Sequence, residues 1–209
     1  GVTTLPREAE TATAPVPPLR PLLAPATAPS ILRATVVMPE PRGPLDLGAI
    51  VPALARRRLP ARLPRRRRLA MAHDVVVMQD LGEGMDVFSE DAEAFVESLR
   101  QAAGRDAVRV GGFVGRPAEA LAEVGMHRGT AVVVLTDLGL SPLAGPDEQG
   151  SARWLELAGL TRRAGARATL LVPWPERRWP PEIAARLALA TWDRSTSVAQ
   201  VMRAVREHG

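Results

Sequence analysis

From residue 73 onward, short and almost wholly apolar segments alternate with longer amphipathic ones, and this alternation limits the fold more than any other feature of the chain. Residues 75–78, 108–114, 131–136, 168–172 and 187–192 are runs of strand length dominated by Val, Leu and Ala. Runs this apolar suit strands covered on both faces, and hence a parallel sheet. Helical patterns lie between them. Segment 89–103 spaces Ala92, Phe95, Val96, Leu99 and Ala103 along one face, and 117–124 forms a short helix. Segment 147–164 aligns Trp154, Leu155, Ala158 and Thr161, with Gly165 as its cap. A brief helix follows Pro180. The last helix starts after Ser197, which forms a capping box with Gln200, and it turns Val198, Val201, Met202 and Val205 inward. The expected fold is α/β: a doubly wound, mostly parallel sheet with helices on both faces.

The first 72 residues differ in character. Residues 1–30 are rich in Pro and Ala and read as a disordered linker. Residues 31–72 are expected to dock on the domain at 73–209. They comprise a strand at 31–38 stopped by Pro39, then a helix at 45–58, then an Arg-rich stretch. The helix has Asp46 as N-cap and places Leu47, Ile50, Val51 and Leu54 at helical spacing. All 27 basic residues of the chain are Arg. Twelve of them face only four acidic residues in 1–72, so the net charge of +4 comes from this appendage and the domain itself is acidic.

Two absences remove whole classes of chemistry. A chain with no Cys has no disulfide, thiolate metal site or Cys nucleophile. One with no Lys has no Walker-type phosphate loop and no Schiff-base amine, and a response-regulator receiver, which also uses a Lys, is disfavoured. No apolar run approaches the roughly 18 residues of a membrane span. His73, His127 and His208 lack ligand spacing, and there is no Gly-x-Ser-x-Gly elbow. The expectation is a cytoplasmic protein that is not an enzyme.

In parallel sheets, ligands bind at the carboxyl ends of the strands. Asp80 follows one apolar run and Asp137 follows another, with Thr136 beside it. Two readings stand together: the acids converge on one crevice, or each caps the loop after its strand. Gly82 and Gly84 allow positive φ and close backbone approach. They also form a Gly-x-Gly turn, but Val87 holds the place of a third Gly and no acid follows at dinucleotide spacing, so this is a weak cofactor loop.

The stretch Val75-Val-Val-Met-Gln-Asp80-Leu-Gly82-Glu-Gly84-Met85 resembles the first strand and metal loop of von Willebrand factor A domains, where the strand runs into Asp-x-Ser-x-Ser. Val133-Val-Leu-Thr136-Asp137-Leu-Gly139 is similar to that family's later strand, which ends in Thr-Asp-Gly. A closer resemblance, over 31–209, is to a bacterial group of degenerate von Willebrand A-like domains. These occur beside sulfatase-modifying-enzyme-like, nucleotide-hydrolase or peptidase modules in defence or signalling systems. It is carried by Leu63-Pro-Arg-Arg-Arg-Arg68, the two acidic motifs, Val172-Pro-Trp-Pro175, Arg178-Trp-Pro180 and Trp192-Asp-Arg194.

The resemblance implies a Rossmann-like fold and a protein-interaction or scaffolding role. It also implies a metal site reduced to Asp80, Thr136 and Asp137, since the two Ser positions fall on Gly82 and Gly84. A hard divalent ion needs about six oxygens, so no metal is required and any Mg²⁺ or Mn²⁺ binding is weak. Gly82, Glu83, Gly84 and Met85 mark the old ligand edge, with Glu83 solvated. The partner is another protein or another module of the same longer chain. Trp174, Arg178 and Trp179 are the candidate anchor, because Trp and Arg dominate interface hot spots. Trp154 and Trp192 are assigned to the core. Three alternatives remain: a surviving Mg²⁺- or Mn²⁺-dependent ligand site, a small-molecule or nucleotide site, and nucleic-acid binding through Arg65, Arg66, Arg67 and Arg68. The last is disfavoured because no aromatic residue interleaves the arginines.

Overall fold

The computed structural model describes residues 20–40, 43–58, 61–66, 68–142 and 150–208. In chain order the elements are α1 (Ala28–Thr35), β1 (Val37–Glu40), α2 (Leu47–Ala55), β2 (Arg68–Met71), β3 (Val75–Asp80), α3 (Ser89–Ala103) and β4 (Val108–Phe113). They continue with α4 (Pro117–Val124), β5 (Ala131–Leu135), α5 (Ala152–Ala164), β6 (Arg167–Val172), α6 (Pro181–Ala184), β7 (Ala188–Thr191) and α7 (Val198–Glu207).

The five strands from β3 to β7 form one sheet in the order β4-β3-β5-β6-β7, every pairing parallel. Strand residues alternate between its faces. Val75, Val77, Val133 and Leu135 meet Ile31 and Leu32 of α1, Phe95 and Leu99 of α3, and Val201 and Val205 of α7. Val76, Met78, Val132, Val134 and Leu170 meet Leu121 of α4, Trp154 and Leu157 of α5, and Ile183 of α6. The domain is therefore a doubly wound, Rossmann-like α/β sandwich. Its two large anchors are Trp154, which meets Phe113 edge-on, and Trp192, which meets Phe95 edge-on. Both are fully buried.

Local signals explain most boundaries. The Ser197 hydroxyl accepts from the Gln200 N–H while the Gln200 side chain accepts from the Ser197 N–H, completing the expected capping box. Gly165 ends α5 in the left-handed region at φ 67°. Two inward faces differ from expectation. In α5 it is Leu157, not Leu155, that joins Trp154 and Thr161 inside, and in α7 Ala204 is buried while Val198 is exposed.

The segment 31–38 is the main correction. Residues 31–35 are helical, and the strand is confined to β1, which pairs antiparallel with β2. Pro29 sits in the first turn of α1, where its fixed φ favours a helix. A helix also places Ile31, Leu32, Ala34 and Thr35 on one buried face over α3 and α7, and packing overrides the strand-like composition. Residues 22 and 23 are already attached: the Leu22 N–H donates to Asp91 at 2.8 Å and Leu23 is buried in the core. The disordered reading of residues 1–19 and the start expected at 147 lie outside the described residues. No helix among the described residues is long and apolar enough to cross a membrane.

Candidate functional site

The chain leaves β3 for β4 on one side of the sheet and continues to β5 on the other, so the strand order reverses between β3 and β5. A crevice at the carboxyl ends of such neighbours is where doubly wound sheets bind ligands. Asp80 is the last residue of β3, and Thr136 and Asp137 follow β5.

Both acids cap their own loops, and Asp80 is in addition tied to the end of β5. The Thr136 hydroxyl donates to Asp80 Oδ2 at 2.7 Å, joining the two strand ends directly. Each acid also caps its own loop. Asp80 Oδ1 accepts from the Gly82 N–H at 3.0 Å. Asp137 Oδ1 accepts from the Gly139 N–H at 2.8 Å, and Oδ2 accepts from the Ser141 N–H at 3.0 Å. The Thr136 hydroxyl oxygen accepts from the Leu138 N–H at 3.0 Å. These bonds hold Leu138 at φ 60° and Gly139 at φ 74°, a left-handed pair that turns the chain sharply above β5. Left-handed geometry at a non-glycine residue persists only where its surroundings over-determine it, and Leu138 is itself buried in the core.

The glycines serve close approach, not positive φ. Gly82 sits at φ −69°, and Gly84 is not among the residues with positive φ. A Cβ on Gly84 would stand 2.2 Å from Asp137 Oδ2 and 2.8 Å from Ser141 Cβ. The backbone at 84 therefore closes over the Asp137 carboxylate, which is only 3% exposed. Met85, expected at the ligand edge, is a core residue, whereas Glu83 is exposed. Gly111 and Gly112 of β4 make room for Val124 and Leu81.

This donor set does not fit a hard divalent cation. Gly82 and Gly84 offer no side-chain oxygen, both Asp137 oxygens already accept backbone amides, and Gly84 seals one of them. Among the described residues no group of three or more His, Asp or Glu side chains is arranged to hold a metal. The cavity beside Asp80 measures about 150 Å³, below the roughly 300 Å³ at which small-molecule pockets begin.

Burial pushes the Asp80 carboxyl above the ordinary 3.8, and the nearby Asp137 charge adds to the rise. The hydrogen bonds from Thr136 and Gly82 and the charge of Arg153 oppose it without cancelling it. Through this group the folded state binds more protons than the unfolded chain between pH 3.8 and the raised folded value, and its contribution to stability falls as pH rises through that interval. Asp80→Asn is therefore expected to raise the thermal midpoint at pH 7, with the gap to the parent closing as pH falls toward 3.8. Melting curves across pH check this, and a variant that melts below the parent at pH 7 refutes it.

Trp174, Arg178 and Trp179 cluster at the same edge of the sheet. The Arg178 guanidinium lies 4.2 Å from the centre of the Trp174 ring and donates to the Leu140 carbonyl at 2.7 Å. The Trp179 indole donates to the Trp174 carbonyl at 2.9 Å. Both Trp side chains are half-buried against the core, so the cluster braces the loop after Asp137 and leaves chiefly Arg178 facing outward. Of the Arg-rich stretch, Arg65 donates to the Gly43 carbonyl and Arg66 pairs with Asp46 at 3.9 Å. Arg68 opens β2, and Arg67 lies outside the described residues.

At the opposite end of the sheet, Asp74 accepts two bonds from Arg109 Nη2 and one from the Thr130 hydroxyl. His127 Nδ1 lies 3.1 Å from that same hydroxyl and 3.3 Å from Asp74. Thr, His and Asp meet here, yet hydroxyl and carboxylate share a single ring nitrogen. A catalytic triad needs one on each nitrogen, so the trio is structural.

Fold and site together define a Rossmann-like α/β domain whose switch-point carboxylates are turned inward to cap their own loops. No family model matches the chain, and no curated protein matches it.

Proposed function

We propose that this chain is a non-enzymatic protein-interaction or scaffolding domain. It is of von Willebrand A-like type with a lost metal-dependent adhesion site, and it works in a multi-component bacterial signalling or defence system. The observation that carries the reading is the outer face of α2. Leu47, Val51 and Leu54 recur at helical spacing yet are 61%, 60% and 49% exposed, while Ile50 alone is buried. A contiguous apolar stripe on a surface helix marks a contact site. Arg56, Arg57 and Arg58 follow directly on α2, Arg65 bridges to Leu45 just before it, and all four, with Arg66, are exposed. An apolar face fringed by guanidinium groups suits an acidic amphipathic segment of another protein or module. Duplex nucleic acid would engage the arginines through its phosphates and leave the stripe uncovered.

A photoreactive residue at position 51, in the chain expressed in its own cells, is expected to crosslink one discrete protein. Changing Leu47 and Leu54 together to Glu should cut the yield about tenfold, equivalent to roughly 1.4 kcal/mol of binding. The fold should tolerate these solvent-facing changes, within about 1 kcal/mol for the pair. Undiminished capture by the double variant overturns the proposal.

A further inference from the structure

Arg167 opens β6 at the amino-terminal edge of the sheet, the end opposite to Asp80 and Asp137. It is 7% exposed, and none of its three guanidinium nitrogens has a hydrogen-bond partner among the described residues. Two residues on, and on the same face of the strand, Thr169 is fully buried with its hydroxyl oxygen likewise unpartnered. Buried polar groups are nearly always hydrogen-bonded, and a buried charge is paired or it is very costly.

Neutralisation by deprotonation is closed to this side chain. Burial lowers the Arg167 pKa to about 10, still well above neutrality, so the guanidinium stays charged. Among the described residues an internal partner is also missing. Arg167 forms part of the wall of a cavity of about 440 Å³ whose described lining holds Arg162, Arg186 and His208 and no acidic residue. Both ring nitrogens of His208 are already engaged with carbonyl oxygens, Nδ1 at 3.0 Å from Ala204 and Nε2 at 2.9 Å from Ala184. Arg162 and Arg186 are exposed at the rim, where they raise the local concentration of anions.

We propose that this cavity binds a small molecule bearing an oxyanion, a carboxylate or a phosphate, that pairs with the guanidinium of Arg167. The guanidinium nitrogens are closed from solvent, so pairing with the ligand requires the side chain to turn toward the void. A planar guanidinium matches both oxyanions through two parallel hydrogen bonds. The volume falls within the range of small-molecule sites and exceeds what an inorganic ion fills. Met38, Leu155 and Leu187 add apolar wall to the cavity, so the ligand is an amphipathic acid or phosphate ester whose carbon chain lies against them. This site is independent of α2 and of the carboxylate cluster.

The test is titration of the full chain, labelled with nitrogen-15, with hexanoate, hexyl phosphate and, as the uncharged control, 1-hexanol at matched ionic strength. Both anions share the expected chemistry, and the tighter of the two names the class. Saturable shifts of the Ala168, Ala188 and His208 amides and of the Arg167 side-chain N–H with an anion, and not with hexanol, are expected. Arg167→Met should weaken the binding about tenfold or more, the loss of one charge-assisted pair. The proposal fails if neither anion gives saturable shifts at those amides, if hexanol matches them, or if the folded Met variant binds as the parent does. Should that variant not fold, the parent titration against hexanol decides alone.

Discussion

Replacing Gly84 with serine, the change that restores one hydroxyl of the Asp-x-Ser-x-Ser pattern, is expected to cost about 3 kcal/mol of stability, at the upper end for overpacking, and to confer no Mn²⁺ binding. The reason lies in a single contact. The new Cβ would stand 2.2 Å from Asp137 Oδ2, far inside any non-bonded contact a Cβ makes, and 2.8 Å from Ser141 Cβ. Neither neighbour can yield cheaply, because Asp137 is anchored by the Gly139 and Ser141 amides and is buried. Moving it would leave those amides without their acceptor and would release the turn at Leu138. Gly82→Ser is the contrasting case. Its backbone is extended at φ −69° and ψ 153°, and its Cβ would approach only Asp80 Oδ1, at 3.1 Å, so the change should cost within about 1 kcal/mol. Urea denaturation of both variants, with calorimetric titration of Mn²⁺, checks the pair. A Gly84→Ser chain as stable as the parent would mean that the Asp137 loop does not rest on that backbone.

The contrast between these glycines also marks what was legible in the residues alone. Asp80, Thr136 and Asp137 could be singled out because each lies at or just beyond the end of a run of strand length, and the topology of a parallel sheet dictates where such positions gather. Their convergence, through the Thr136 hydroxyl on Asp80, follows from β3 and β5 being neighbours. What Gly84 does was not legible, because it depends on how closely two loops far apart in sequence approach each other. The helices Ser89–Ala103 and Pro117–Val124 match their expected spans because periodicity, Pro117 and the terminal glycines all agree. Arg167 was hidden for the opposite reason. A charged residue at the head of an apolar run reads as the solvated flank of a strand, and the expected strand began one residue later. The exposed stripe of α2 was equally unreadable, since Leu47, Val51 and Leu54 carry the signature of an inward face and only the tertiary structure shows it turned outward.

The N-terminal helix is where the sequence signal and the packing diverge most, and it carries the second large prediction. The double variant Ile31→Ala and Leu32→Ala in the full chain is expected to lose about 5 kcal/mol or more, since each buried aliphatic truncation costs about 2–5 kcal/mol. A domain of this size is stable by about 5–15 kcal/mol, so the loss would leave a chain unfolded or nearly so at ordinary temperature. Ile31 is fully buried and Leu32 is 2% exposed, and both belong to the same core cluster as Val75, Val77, Phe95 and Trp192. With α3 and α7, α1 forms the layer that covers one face of the sheet; it is a constituent of the domain and not an appendage tethered to it. The control is Leu54→Ala on the exposed face of α2, expected to change stability by no more than about 0.5 kcal/mol, although by sequence pattern alone Leu54 looks as much a core residue as Leu32. Chemical denaturation of the two chains separates the cases. If the double variant stays within about 1 kcal/mol of the parent, the range of ordinary single substitutions, then α1 is detachable and the folded unit begins near residue 73. If it unfolds, α1 is part of the folded unit, which then includes residues well before 73.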